Sequence, residues 1–115
     1  MTLPPALRLW LPVLAWAAVI FALSSIPSLG TGLGVWDLVL RKLAHVGEYA
    51  VLGLLLVRAL RAPVPAFAAG VLYAATDELH QRFVPGRLGS PLDVLVDAVG
   101  VALGIWLWRA RRGAR

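Results

Sequence analysis

Apolar residues in this chain do not alternate with polar ones. They come in four long runs, 7–26, 43–60, 62–79 and 92–108, parted by short segments rich in Gly, Pro, Ser and charge. Each run approaches the ~17–25 residues that a helix needs to cross a bilayer. A soluble all-α domain would need a polar face on every helix, and these runs hold too few polar residues to supply four of them. The pattern therefore predicts an all-α integral membrane protein, a single domain over residues 1–115 folded as a four-transmembrane-helix bundle. The first run, with Arg8 ahead of it and "FALSS" at its end, also has the outline of a secretory signal. It is long for one, and its removal would leave three spans.

Composition sharpens this picture. The chain is 60% hydrophobic and 15% charged, against ~45–50% and ~25% in an ordinary soluble domain. It has no cysteine, which excludes disulfides and thiolate-based metal or redox chemistry. The net charge of +5 is unevenly placed. Arg8, Arg58, Arg61, Arg109, Arg111, Arg112 and Arg115 fall in the two termini and the link between the second and third runs, with no acid among them. Arg41, Lys42, Arg82 and Arg87 fall in the other two links. The excess of basic residues predicts a multi-pass protein of the cytoplasmic membrane with both termini inside. Four arginines in a tail without a reading module do not make a nucleic-acid site; contact with anionic lipid suits them better.

All six acids, Asp37, Glu48, Asp77, Glu78, Asp93 and Asp97, then fall in the outer half, with both histidines. At ~100° per residue, Arg41, Lys42, His45, Glu48 and Tyr49 share one face of the second span. Gly70, Ala74, Asp77 and Gln81 form a stripe on the third, with Glu78 at its edge, and Asp93, Asp97, Gly100 and Gly104 align on the fourth. A charge facing hydrocarbon costs at least ~2.5–3.5 kcal/mol, so the stripes should face inward and meet. Gly100 and Gly104 make a GxxxG step below Asp97 that admits a close helix. The expected result is a polar pocket opening outward between the last three spans. The first span buttresses it and faces lipid, and the five tryptophans (Trp10, Trp16, Trp36, Trp106 and Trp108) include interface anchors. Pro85-Gly86 reads as a turn. Ser90-Pro91-Leu92-Asp93 reads as a helix start with Ser90 as N-cap, an architectural role for Asp93 that leaves Asp97 and Glu48 unexplained.

The segments "KLAHVGEYAVLG" (42–53), "DELHQRFVPGR" (77–87) and "SPLDVLVDAVGVALG" (90–104) resemble the VanZ-like family of bacterial membrane proteins. The shared pattern is K-x-x-H-x-x-x-Y, DE-x-x-Q-x-x-x-x-R and D-x-x-x-[ND]-x-x-G, in order and spacing over about residues 20–105. Many relatives carry Asn where this chain has Asp97, which puts a required charge there in doubt. The resemblance implies a bacterial cytoplasmic membrane and an association with resistance to glycopeptides of the teicoplanin type. It implies no established reaction. Its motif residues here are Lys42, His45, Glu48, Tyr49, Asp77, Glu78, Gln81, Arg87, Asp93 and Asp97.

Three functions fit these residues. A binder or handler of a cell-envelope amphiphile would use Lys42, Arg82 and Arg87 on a phosphate or carboxylate and Tyr49, Glu78, Gln81, Asp93 and Asp97 on sugar or amine groups. A membrane-embedded hydrolase or transferase acting on a lipid-linked envelope precursor would use His45 as base or nucleophile, oriented by Glu48 or Asp77, with Arg87 on the developing charge. A small structural or accessory subunit would use the same polar face to dock a membrane-protein partner or a second copy. An ionic network that only fixes packing would be bland but sufficient for many of these residues. A metal set of His45, Asp77, Glu78 and His80 has suitable donors but no HExxH-like spacing, so no metal or other cofactor is expected.

Overall fold

The computed structural model describes residues 3–25, 35–84 and 91–113, residues 35–38 by their backbone alone. It is all-helical: α1 Pro5–Ser24, α2 Val35–Leu60, α3 Pro63–Gln81 and α4 Pro91–Gly113. Prolines open α1, α3 and α4, where the missing N–H has no intrahelical partner to lose. Pro12 inside α1 is tolerated, and the helix continues through it. Three helices are long and apolar enough to cross a membrane, Pro5–Ser24, Val39–Leu60 and Pro91–Gly113. The third helix does not reach that mark, since its last turns carry Asp77, Glu78, His80 and Gln81.

The helices outrun the apolar runs that announce them. α2 begins near residue 35 rather than 43, and α4 continues to Gly113 through Arg109, Arg111 and Arg112. Hydropathy measures a span, whereas backbone hydrogen bonding carries a helix on beyond the apolar part. Only Arg61 and Ala62 join α2 to α3. Arg61 makes that reversal in the left-handed region, at φ 60°, with its N–H on the Val57 carbonyl at 2.8 Å.

α2 and α4 form the principal interface. A Cβ on Gly100 would lie 2.6 Å from the Val46 carbonyl oxygen, and one on Gly104 would collide with the Ala50 carbonyl. Gly53 faces the Val101 backbone in the same way from the other side. The GxxxG step thus sets how near these two backbones come. Tyr49, Leu52, Leu56, Val57, Ala66, Ala74, Val101 and Ile105 fill the core, joined from α1 by Val13 and Ile20.

α1 does more than face lipid. The Trp16 indole donates to the Glu48 carbonyl at 2.8 Å, and the Tyr73 hydroxyl donates to the Ala17 carbonyl. Trp16 is accordingly an inward-facing residue rather than an interface anchor; Trp10 and Trp106 are exposed. The side chain of Trp36 lies outside the described residues. Large apolar side chains are exposed on every helix, Leu14, Leu40, Leu72 and Leu95 among them. Such a surface is stable in hydrocarbon and aggregates in water.

Candidate functional site

Three residues on one face of α2 meet acids of the facing helices in order of depth. Lys42 Nζ donates to Asp93 Oδ1 at 2.7 Å, and both side chains remain partly exposed. One turn further in, His45 Nδ1 lies 3.1 Å from Asp97 Oδ1, and Asp97 is 1% exposed. Deeper again, the Tyr49 hydroxyl donates to Asp77 Oδ2 at 2.9 Å. Tyr49 is fully buried and Asp77 is 3% exposed. The spacing 42, 45, 49 and the spacing 93, 97 are each helical steps of three or four residues, so adjacent rungs stack. The result is a ladder with a wet end and a dry end.

Gln81 completes the dry end. Its Nε2 lies 3.3 Å from Asp77 Oδ2 and 3.4 Å from Ser24 Oγ, so α1 also supplies a polar atom. Asp77 Oδ2 therefore takes two donors, while Asp77 Oδ1 is buried without a partner among the described residues. A buried carboxylate oxygen left bare is costly, and it is an acceptor that a donor or a cation would satisfy.

The acid that meets the His45 ring is Asp97, rather than Glu48 or Asp77. Glu48 is half-buried, and its carbonyl oxygen serves Trp16. The sequence-derived metal set divides in the fold. Glu78 pairs with Arg82, Oε1 to Nε at 2.9 Å. His80 stacks on Phe21 with ring centroids 4.1 Å apart, and its Nε2 lies 3.4 Å from Ser25 Oγ. His45, Asp77 and Asp97, from three helices, each bring one donor atom within 4.8 Å of the others. This histidine and two carboxylates have the donor types that hold zinc or a harder divalent cation.

Of the sequence-derived site residues, Lys42, His45, Tyr49, Asp77, Gln81, Asp93 and Asp97 share this ladder. Glu78 and Arg82 form a pair of their own at the end of α3. Arg87, the Pro85-Gly86 turn and the Ser90 cap lie outside the described residues, as does the side chain of Asp37. Sequence reasoning missed Ser24, Ser25 and Phe21 as neighbours of the polar end. Their signal was the small polar pair closing the first apolar run, which by itself reads as a helix terminus.

The ladder thus presents a buried carboxylate oxygen without a partner among the described residues at its dry end and a partly exposed Lys42–Asp93 pair at its wet end. No curated protein and no solved structure matches the chain. A family model does, over residues 7–112, and it covers all four helices and every rung of the ladder. The chain belongs to the VanZ/LLP1 family.

Proposed function

We propose that the protein is a four-span protein of the bacterial cytoplasmic membrane with both termini inside, and that the ladder binds the polar head of an envelope amphiphile in the outer leaflet. α3 is the fourth span in this reading. Its 19 residues reach ~28 Å at ~1.5 Å each, close to the ~30 Å hydrocarbon core. Its outward surface, with Val64 76% and Leu72 68% exposed, is suited to lipid.

The observation that carries the binding role is Asp77. Two donors hold one of its oxygens in the dry interior while the other has no partner among the described residues, a costly arrangement that a bound donor would relieve. A hydroxyl or ammonium group of a head group would satisfy Asp77, while Lys42 and Arg87 would meet its phosphate or carboxylate. A contribution to tolerance of teicoplanin-type glycopeptides, which have lipid tails and act at the outer surface, would follow from the same site.

Native mass spectrometry of the detergent-purified protein tests this reading. The wild type should carry a specific lipid-linked mass, and Lys42→Ala, Asp77→Asn and Arg87→Ala should lose it while remaining folded. A well-folded wild type with no specific lipid would leave the ladder as packing or a partner-docking face.

A further inference from the structure

The opposite end of the bundle has another kind of chemistry. Arg58, Arg61, Arg109 and Arg112 line a crevice of about 610 Å³ whose wall includes Val57 and Trp108. None of the four makes an ion pair among the described residues. The sequence has no acid between residues 49 and 76 or between 98 and 115. The guanidinium of Arg112 lies 5.6 Å from the Trp108 ring centroid, an aromatic rather than an anionic partner. Four guanidiniums at the rim of one crevice repel one another, and an anion relieves that repulsion.

A second crevice, also about 610 Å³, adjoins the first and shares Pro63 and Arg109 with it. It is apolar, with Val64, Phe67, Ala102, Ile105 and Trp106 in its walls. Phe67 and Ala102 lie one turn nearer the bundle's middle than Pro63 and Trp106, so the groove runs from the arginines toward the membrane interior. A basic crevice and an apolar groove, joined at Arg109, have the shape and polarity of an acidic amphiphile.

The backbone supplies an independent sign. Arg61 sits just beyond the end of α2 at φ 60°, where glycine or asparagine is the comfortable choice. A charged side chain is thus kept at a conformational cost at a position that lines the crevice with three other arginines.

We propose that this end of the bundle is a binding site for an anionic glycerophospholipid. Its phosphate lies among Arg58, Arg61, Arg109 and Arg112, and one acyl chain lies along the groove past Phe67. The site is separate from the ladder and does not depend on the function proposed for it. Arginine suits the phosphate through paired N–H donors, and the groove selects a lipid over a free anion.

The test uses the full chain in mild detergent, with dioleoyl phosphatidylglycerol, dioleoyl phosphatidylcholine and inorganic phosphate as probes. Native mass spectrometry and thermal unfolding are the readouts. Phosphatidylglycerol should be retained at one molecule per chain and raise the melting temperature, while phosphatidylcholine does neither and phosphate does not displace the lipid. Arg58→Gln with Arg109→Gln should weaken retention roughly tenfold or more, at the strength of about one charge contact per arginine. Arg41→Gln, at the other end, should leave it unchanged.

Arg61→Gly guards against a folding artefact. Without lipid it should melt higher than wild type, because the backbone strain is gone, yet gain less from phosphatidylglycerol. Equal retention of the two lipids, displacement by phosphate, an equal loss in Arg41→Gln, or a full lipid response in Arg61→Gly would each overturn the proposal.

Discussion

The two ends of this bundle treat their basic residues in opposite ways. At the polar end, Lys42 meets Asp93 and His45 meets Asp97 in the ladder, and Arg82 meets Glu78 beside it, each across a distance of 3.1 Å or less. At the arginine end, Arg58, Arg61, Arg109 and Arg112 share one crevice and, among the described residues, no carboxylate. A net charge of +5 describes neither end. What matters is whether a cation is partnered inside the protein, where its loss leaves a buried acid bare, or unpartnered at the rim, where its loss leaves nothing uncompensated.

That contrast orders the expected effects of substitution. The largest belongs to His45→Ala, which strands Asp97 at 1% exposure near Asp77. Removing one partner of a buried pair costs ~3–5 kcal/mol, and thermal unfolding in detergent should show a drop of that order. If His45→Ala melts with wild type, the His45–Asp97 contact does not hold the bundle together and the contrast between the ends collapses.

Tyr49→Phe is a smaller change. It removes the hydroxyl that donates to Asp77 Oδ2 and leaves Gln81 as the remaining donor. A lost donor to a buried acceptor costs ~1–3 kcal/mol, and Asp77→Asn made in the same background should recover part of it. Chemical denaturation of the single and double variants gives the coupling between the two residues.

Lys42→Ala breaks a pair whose side chains are 34% and 23% exposed, so solvent screens it and the loss should stay within about 1 kcal/mol. Smallest of all is Arg109→Gln, exposed and without an acid among the described residues. Its effect on unfolding in lipid-free detergent should stay within about 0.5 kcal/mol. A large destabilisation by Arg109→Gln would mean that the arginine end is held together by its charges, contrary to the difference drawn here.

The four helices were legible in the sequence because long apolar runs have few other folds open to them, and the polar stripes were legible because helical period fixes which residues share a face. Lys42, His45 and Tyr49 fall on one arc of α2 whatever it packs against. Period does not say which helix that arc meets or at what depth. The pairing of His45 with Asp97, and not with Glu48 or Asp77, follows from how closely α4 approaches α2, which Gly100 and Gly104 permit but do not specify. His80 was equally ambiguous: three residues from Asp77 and so near it on α3, it turns instead to Phe21 of α1 and to Ser25 just beyond that helix. The ends of the helices were not legible for a simpler reason. Apolarity stops at the membrane, and hydrogen bonding carries α2 and α4 past it into their charged flanks.

In the proposed topology the two ends of the bundle lie on opposite sides of the membrane. The chain has no cysteine, so single cysteines placed at Phe83, beside the polar end, and at Arg111, beyond the arginine crevice, can be probed with a membrane-impermeant maleimide in intact cells. Phe83→Cys should label in intact cells, and Arg111→Cys only after the membrane is permeabilised. Labelling of both from the outside, or of neither, would mean that α4 does not carry the chain across between them. The reverse pattern would put the ladder in the inner leaflet and contradict its role at the outer surface.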